Sequence, residues 1–395
     1  MNRMGLRMGV SLPEDLLRNI LERLPTKSLM RFKSIDRSWN ALLKTNSFVS
    51  RQSQRQRLKQ SDERFMIFHT CSFCTWITLV SRDDPNLLHL PDAQYPFPSC
   101  HQEHLVVWGH CNGIFCLTTH FPVPGVSSVP FEFPTPTTKT TVMWNPATRE
   151  VKVVPPSPHR LTNKSSVCLC RCDSGFGADP NTFDDFKFIN FKVEFPHNND
   201  TLLVVSAELY SSSTNTWTIM HDVDVNAFIN PGPPIDVYGF TNSIFANGVY
   251  YWLSFDCTFI LCFDFRHNQF RKLDAPAVVP TLPGKFIESH DSIAYAVNHP
   301  SANRIQIWIL KQDDCSWIKL CNIEPIELNY NSKVGIYSIW KDGAEFIGTS
   351  DGAKLVSYNS HAQPLIKFEN SPQVYFRCIH KYVESIATLS VSLAS

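Results

Sequence analysis

The chain has 395 residues, enough for one large core beside a smaller unit. Its 36 basic and 36 acidic residues cancel, and charged residues make up only 18% against the ~25% usual for globular domains, which argues against a nucleic-acid protein held by bulk charge. The 13 cysteines are scattered, residues 1–10 lack the apolar stretch of a secretory leader, and no apolar run approaches the ~20 residues of a membrane helix. These features lead to an expectation of free thiols in a reducing, cytosolic or nuclear setting.

Residues 11–43 carry the clearest helical pattern. Ser11 and Glu14 fit a capping box, and Pro13 suits a first helical turn, where its missing N–H costs nothing. Leu16, Leu17, Ile20, Leu21 and Leu24 recur at helical spacing as one apolar face. Glu14, Arg18 and Glu22, four apart, support the polar face. Pro25 closes this helix by disfavouring the α region at Leu24. A second short helix is expected after Thr26, carrying Leu29, Met30 and Phe32. A third should carry Trp39, Leu42 and Leu43, with Asp36 as its N-cap.

A unit of about forty residues cannot bury this many large side chains by itself. The stripe therefore packs on the following domain or docks a partner. The order Leu12-Pro13, Leu16-Leu17, Ile20-Leu21, Leu24-Pro25, Lys27-Ser28-Leu29, Arg31-Phe32, Trp39 and Phe48 decides between them. It resembles the F-box, the three-helix module that docks on the Skp-type adaptor of a cullin–RING ubiquitin ligase. The resemblance implies an adaptor-binding set of Leu12, Pro13, Leu16, Leu17, Ile20, Leu21, Leu24, Pro25, Leu29, Arg31, Phe32 and Trp39. Ile35-Asp36-Arg37 departs from the small apolar or Cys-Lys pair common there.

The polar run Arg51–Gln60 reads as a linker or an exposed helix extension. From Phe65 the texture changes to short Val-, Ile-, Phe-, Tyr- and Thr-rich runs punctuated by Gly, Pro, Asn and Asp, an all-β pattern. Weak internal similarity accompanies it. Asn112-Gly-Ile-Phe-Cys-Leu117 resembles Asn247-Gly-Val-Tyr-Tyr-Trp252, both reading as an Asn-Gly turn into a strand. Met143–Val151 matches Cys262–Phe270, and Ala207–Trp217 matches Ile307–Trp317. The two Asn-Gly pairs lie about three units of ~45 residues apart, a propeller-blade period, and the length from Phe65 fits about six blades, or seven. No Trp-Asp dipeptide or kelch-type Gly-Gly doublet is present.

Gly109–Leu117, Trp144–Glu150 with Pro155-Pro156, and Gly175–Pro180 with Asp185-Phe-Lys187 resemble the plant F-box-associated β-propeller domain. Ser350-Asp-Gly352, Val356–Asn359 and Tyr382–Ile386 are similar to its closing segment, most of all to S-locus F-box-like proteins. The fold expected is therefore α+β and multidomain: a terminal tail at 1–9, a three-helix F-box at 10–50, a linker or helix extension at 51–64, an all-β propeller at 65–386 and a tail at 387–395. The Pro-rich stretch between Thr119 and Thr141 suits an insertion loop, passive or substrate-contacting; Pro231–Pro234 and Pro276–Pro283 are similar.

Signals for catalysis or cofactors are weak. Cys71-Ser-Phe-Cys74 is half a zinc site, and Cys168, Cys170 and Cys172 share one face of a strand, but neither has a second ligand pair at zinc spacing. His101-Gln-Glu-His104 is not the zinc-protease pattern, and no P-loop, dinucleotide motif or nucleophile elbow appears. No cofactor or metal is expected. By resemblance, the chain is a non-catalytic substrate receptor of an SCF-type ubiquitin ligase. Its F-box would bind the Skp-type adaptor and, through it, cullin and RING subunits. Its propeller would hold a target protein, S-ribonuclease being the one the S-locus likeness implies. The rival readings are a propeller binding module for a glycan or phosphoprotein outside ubiquitin ligation, and a propeller enzyme with a helical head.

Overall fold

The structure is a computed structural model. It describes residues 13–58, 64–71, 74–81, 88–90, 95–96, 105–121, 138–158, 169–180, 182, 184–195, 204–220, 242–253, 259–276, 284–289, 292–299, 304–323, 336–340, 345–349, 355–359, 361, 363–367 and 375–389. Four helices come first: α1 (Glu14–Glu22), α2 (Thr26–Phe32), α3 (Arg37–Leu43) and α4 (Asn46–Leu58). Pro13 is the N-cap of α1 rather than part of its first turn, with an extended ψ of 139° and no side-chain cap. Ser11, expected to cap, lies outside the described residues. Pro25 separates α1 from α2 and serves as the N-cap of α2. Asp36 does cap α3, accepting from the Ser38 and Trp39 backbone N–H groups. The Ser38 hydroxyl also donates to it, and these hydrogen bonds hold the Asp36 carboxyl below its ordinary pKa despite the cost of desolvation.

A fourth helix follows the three expected and runs into the polar stretch read as a linker or helix extension. Its boundary with the polar run was hidden because the residues that α4 buries in its second half, Gln52 and Ser53, are themselves polar. No apolar period marks that half as packed.

Among the described residues, twenty-four strands then form six antiparallel sheets of four. Blade I holds β1 (Arg64–Cys71), β2 (Cys74–Ser81) and β3 (Leu88–His89). Blade II holds β4 (Val106–Cys111), β5 (Ile114–Phe121), β6 (Thr138–Asn145) and β7 (Glu150–Val153). Blade III holds β8 (Leu169–Ala178), β9 (Phe186–Phe195), β10 (Val204–Ser211) and β11 (Thr216–Met220). Blade IV holds β12 (Ser243–Ala246), β13 (Val249–Leu253), β14 (Phe259–Asp264) and β15 (Gln269–Asp274). Blade V holds β16 (Gly284–Ser289), β17 (Ser292–His299), β18 (Arg304–Leu310) and β19 (Trp317–Ile323). Blade VI holds β20 (Ile336–Ile339), β21 (Glu345–Thr349), β22 (Leu355–Asn359) and β23 (Pro364–Lys367). The last strand, β24 (Tyr375–Tyr382), completes blade I by pairing with β1, Ile379 opposite Ile67. Strands β4, β8, β12, β16, β20 and β24 each lie beside the next and form a closed central ring.

The sequence repeats are structurally equivalent hairpins. Asn112-Gly113 and Asn247-Gly248 join the first and second strands of blades II and IV, with φ of 51° and 79°, and 47° and 83°. Positive φ at both central residues is the type I′ requirement. The pairs lie two blades apart, not three, because long connections stretch the repeat past ~45 residues. Trp217 of β11 and Trp317 of β19 also correspond. Each indole N–H donates to a carbonyl at the outer edge of the preceding blade, Pro155 O at 2.7 Å and Asp274 O at 3.0 Å.

Gly175 and Gly177 of β8 face the aromatic side of blade IV. A Cβ on Gly175 would lie 2.6 Å from the Trp252 ring, and one on Gly177 2.3 Å from that of Phe245. The Gly-Phe-Gly motif thus sets the spacing between two blades. Lys187 strengthens the same seam by donating to Phe265 O at 3.1 Å and to Asn268 Oδ1 at 2.9 Å. Gly177→Ala is expected to destabilise the chain by about 1–3 kcal/mol through overpacking, read as a lower urea midpoint.

Candidate functional site

The helical head divides its apolar stripe between two tasks. Leu21 and Leu29 are sealed in a core that also holds Leu43, Phe48 and Val49, with Leu17, Leu24, Phe32 and Trp39 packed partly against it. Phe32 and Trp39 meet edge to face at 5.1 Å. Leu21 and Leu29 were expected to contact the adaptor. In the chain by itself both are buried, at 2% and 0% exposure, because the helical turn aims them inward. Leu16 and Ile20, four apart on α1, remain 48% and 43% exposed, and Pro13, Pro25 and Arg31 are exposed too. Leu12 lies outside the described residues. Ile35, in the turn between α2 and α3 and absent from the expected adaptor-binding set, is 68% exposed.

Helix α4 braces α1. The buried Glu22 carboxylate lies 3.2 Å from Arg55 and 3.8 Å from Arg51, and Gln56 donates to Leu24 O. The same helix ties the head to the propeller. Asn46 donates to Asp184 at 2.6 Å, and Arg57 to Asn112 at 2.6 Å. The apolar core is continuous across the seam, running from Leu21 and Phe48 to Ile114, Met143, Phe186 and Tyr210 of blades II and III.

Residues 383–389, following β24, complete this seam. Ile386, Ala387 and Leu389 are buried, so residues 387–389 belong to the core rather than to a terminal tail. Asn145 holds the segment from below: its Nδ2 donates to Ser385 O at 3.0 Å and Ala387 O at 2.9 Å, while its Oδ1 accepts from Ala147 and Thr148 N–H. Glu150 accepts from the Thr388 hydroxyl and the Leu389 N–H. The Asn-Pro-Ala-Thr-Arg-Glu motif is thus the clasp of the seam. Its signal in the sequence was a buried-type Asn opening a turn, with nothing to name its distant partner.

The helices contact the ends of first strands and the starts of second strands, as Asn112 and Asp184 show. The strand ends joined by residues 122–137, 159–168, 196–203 and 221–241 therefore lie on the opposite face. Those four segments, His101–His104, Cys168, Pro231–Pro234, residues 277–283 and Ser350–Gly352 lie outside the described residues. Among the described residues, no group of three His, Cys, Asp or Glu side chains is placed to hold a metal. Cys111, Cys116, Cys262, Cys315, Cys321 and Cys378 are free thiols. No described helix is long and apolar enough to cross a membrane.

A polar cluster crosses the propeller axis. His110 of β4 and Glu288 of β16, from opposite blades, meet at 3.1 Å. His380 of β24 packs edge-on against His110 at 4.9 Å between ring centroids. Burial opposes the Glu288 charge, but His110, Lys381 and His380 prevail and hold its pKa down at about 2. Burial, with the neighbouring His110 and Lys285, drives His380 down to about 3, against the pull of Glu288. His380 is thus neutral in the folded chain, while an unfolded histidine takes a proton below pH ~6.5. Its contribution to stability is full above pH ~6.5 and is lost as pH falls toward 3. Between pH 7 and pH 5, wild type should lose roughly 2 kcal/mol more stability than His380→Gln, measured by urea unfolding at each pH.

Comparison with known proteins accounts for both parts of the chain. Residues 10–51 match the F-box domain family, and residues 64–388 match the F-box associated beta propeller domain family. An F-box/kelch-repeat protein of Arabidopsis thaliana is 21% identical over 399 residues, covering 96% of this chain and 84% of the relative. An F-box protein of the same plant is 24% identical over 343 residues, covering 81% and 75%. Other relatives from that plant align over 62% to 73% of their own length. Among solved structures, the Pseudomonas aeruginosa periplasmic gluconolactonase PpgL is 9% identical over 80% of this chain and 83% of its own, with a TM-score of 0.38, too slight a likeness to bear on function. A family match over residues 64–388, joined to the helical head at 10–51, places the chain among the F-box proteins that carry an F-box-associated β-propeller.

Proposed function

We propose that the chain is the substrate receptor of an SCF-type ubiquitin ligase, working in the cytosol or nucleus. The observation that carries this reading is the pair of large apolar side chains, Leu16 and Ile20, left exposed on a helix whose Leu21 is buried and Leu17 half-buried. Exposed Leu and Ile at helical spacing, with Ile35 on the adjoining turn, suit an apolar groove on a Skp-type adaptor. Pro13, Pro25 and Arg31 are exposed as well and complete the proposed contact set, with the half-buried Phe32 and Trp39. The cullin and RING subunits join through the adaptor.

The chain itself does no bond chemistry in this reading. It raises the effective concentration of a target lysine near the charged conjugating enzyme. The head occupies one face of the propeller, so the target is assigned to the other, where the strands bordering residues 122–137 and 221–241 end. The finer target assignment, S-ribonuclease, rests on the likeness of the closing segment alone. Capture of an S-ribonuclease by the purified chain tests it, and failure against a panel of allelic forms removes it.

Two experiments test the receptor reading. Leu16→Asp places a charge in the apolar contact while altering an exposed position, so the fold should persist and adaptor binding should fall at least tenfold in a pull-down. Retained binding would remove Leu16 from the interface and undercut the reading. Deleting residues 123–136 should leave adaptor binding unchanged and reduce capture of proteins that accumulate under proteasome inhibition. Loss of adaptor binding in that deletion would show instead that the segment supports the fold.

A further inference from the structure

Not all of the axial cluster is internally satisfied. Glu288 is engaged by His110, and the two keep 22% and 15% of their side-chain exposure, so solvent reaches them. Lys285, three residues earlier on β16, is different. Its ammonium lies 4.0 Å over the Tyr337 ring of β20, and among the described residues no carboxylate pairs with it. The Nε2 of His380 is buried with no hydrogen-bond partner. A half-buried cation that no described carboxylate offsets, close enough to His380 to lower its pKa, shares the axial cluster with an idle imidazole nitrogen, and both are costly in an isolated chain.

The order of these groups along the axis gives the site a direction. Central strands end at the helical head, as the Asn112 turn against Arg57 shows. His110 and Glu288 are next to last in β4 and β16, so their contact closes the axis on the head side. Lys285 and Tyr337 are each second in their strands, toward the opposite face. The uncompensated cation therefore lies above a closed floor, on the side assigned to the target.

We propose that the axial cluster is an anion site, in which Lys285 and the Nε2–H tautomer of His380 hold one phosphate or carboxylate group above the His110–Glu288 floor. Tyr337 positions the ammonium through its ring face. Glu288 does not compete for Lys285, because it is committed to His110 across the axis. Burial lowers the Lys285 pKa to about 8, and a bound anion would return it upward. The group comes either from a small free anion or from a modified or acidic side chain of a bound protein.

The test is a titration of the purified full chain, without adaptor or target, so its outcome is independent of the ligase reading. Inorganic phosphate and succinate are titrated by calorimetry and by thermal unfolding. Wild type should bind one of them saturably and gain melting temperature, with Lys285→Met losing at least tenfold in affinity. Lys285→Met should also melt higher than wild type in the absence of anion, because an uncompensated charge has been removed; Lys285→Arg should keep binding. Should Lys285→Met not fold, His380→Phe takes its place, with the same tenfold loss expected. An Ala-phosphoserine-Ala peptide binding more tightly than phosphate assigns the group to a protein; tighter binding of phosphate or succinate assigns it to a free anion. Absence of saturable binding by all three probes, or equal binding by wild type and the substituted chain, overturns the site.

Discussion

Everything in this molecule depends on the pairing of β24 with β1, which joins residues more than 300 positions apart. Without it, blade I is three strands with an open edge and the ring has no sixth central member. Such long-range closure is entropically expensive and slow to form. It is held by apolar pairs such as Ile67 and Ile379, and by the edge-to-face contact of Phe65 with Trp340 of the neighbouring blade at 4.7 Å. The segment that leaves β24 then runs beneath blade II and ends in the clasp at Asn145 and Glu150. One covalent stretch thus closes the ring and completes the surface on which the helices rest.

That shared surface changes what the helical head is. Leu21, Leu29, Phe48 and Val49 belong to one core with propeller residues such as Met143, Phe186 and Ile386. A head with its own separate core would swing on its linker. This one is fixed by α4, by the Glu22–Arg55 pair and by two side-chain bonds to blades II and III. Its orientation relative to the opposite face is built into the packing, which is what a receptor acting through proximity requires.

The sequence was most legible where the pattern is local. Three helices, the Asp36 cap, the Asn-Gly turns and an all-β texture follow from spacing over a few residues, whereas the figure of about six blades followed from length. The fourth helix was obscured by a polar surface at Gln52 and Ser53. The split of Leu16 and Ile20 from Leu21 and Leu29 was also hidden, because a period of 3.6 marks an apolar stripe without saying which edge is covered. The roles of Asn145, Gly177, Lys285 and His380 depend on partners 52 to 270 positions away, and no local rule supplies those partners. Blade spacing misled for a related reason: insertions of unequal length break the period although the hairpins repeat.

The buried C-terminal segment has a consequence for the order in which the protein becomes usable. The helices are synthesised more than 300 residues before Ile386, Ala387 and Leu389, which form part of the core beneath them. A chain that stops short of them carries its helical head without the platform that fixes its direction. Burial of Ile386, Ala387 and Leu389 therefore couples correct presentation of the head to prior synthesis of the whole ring.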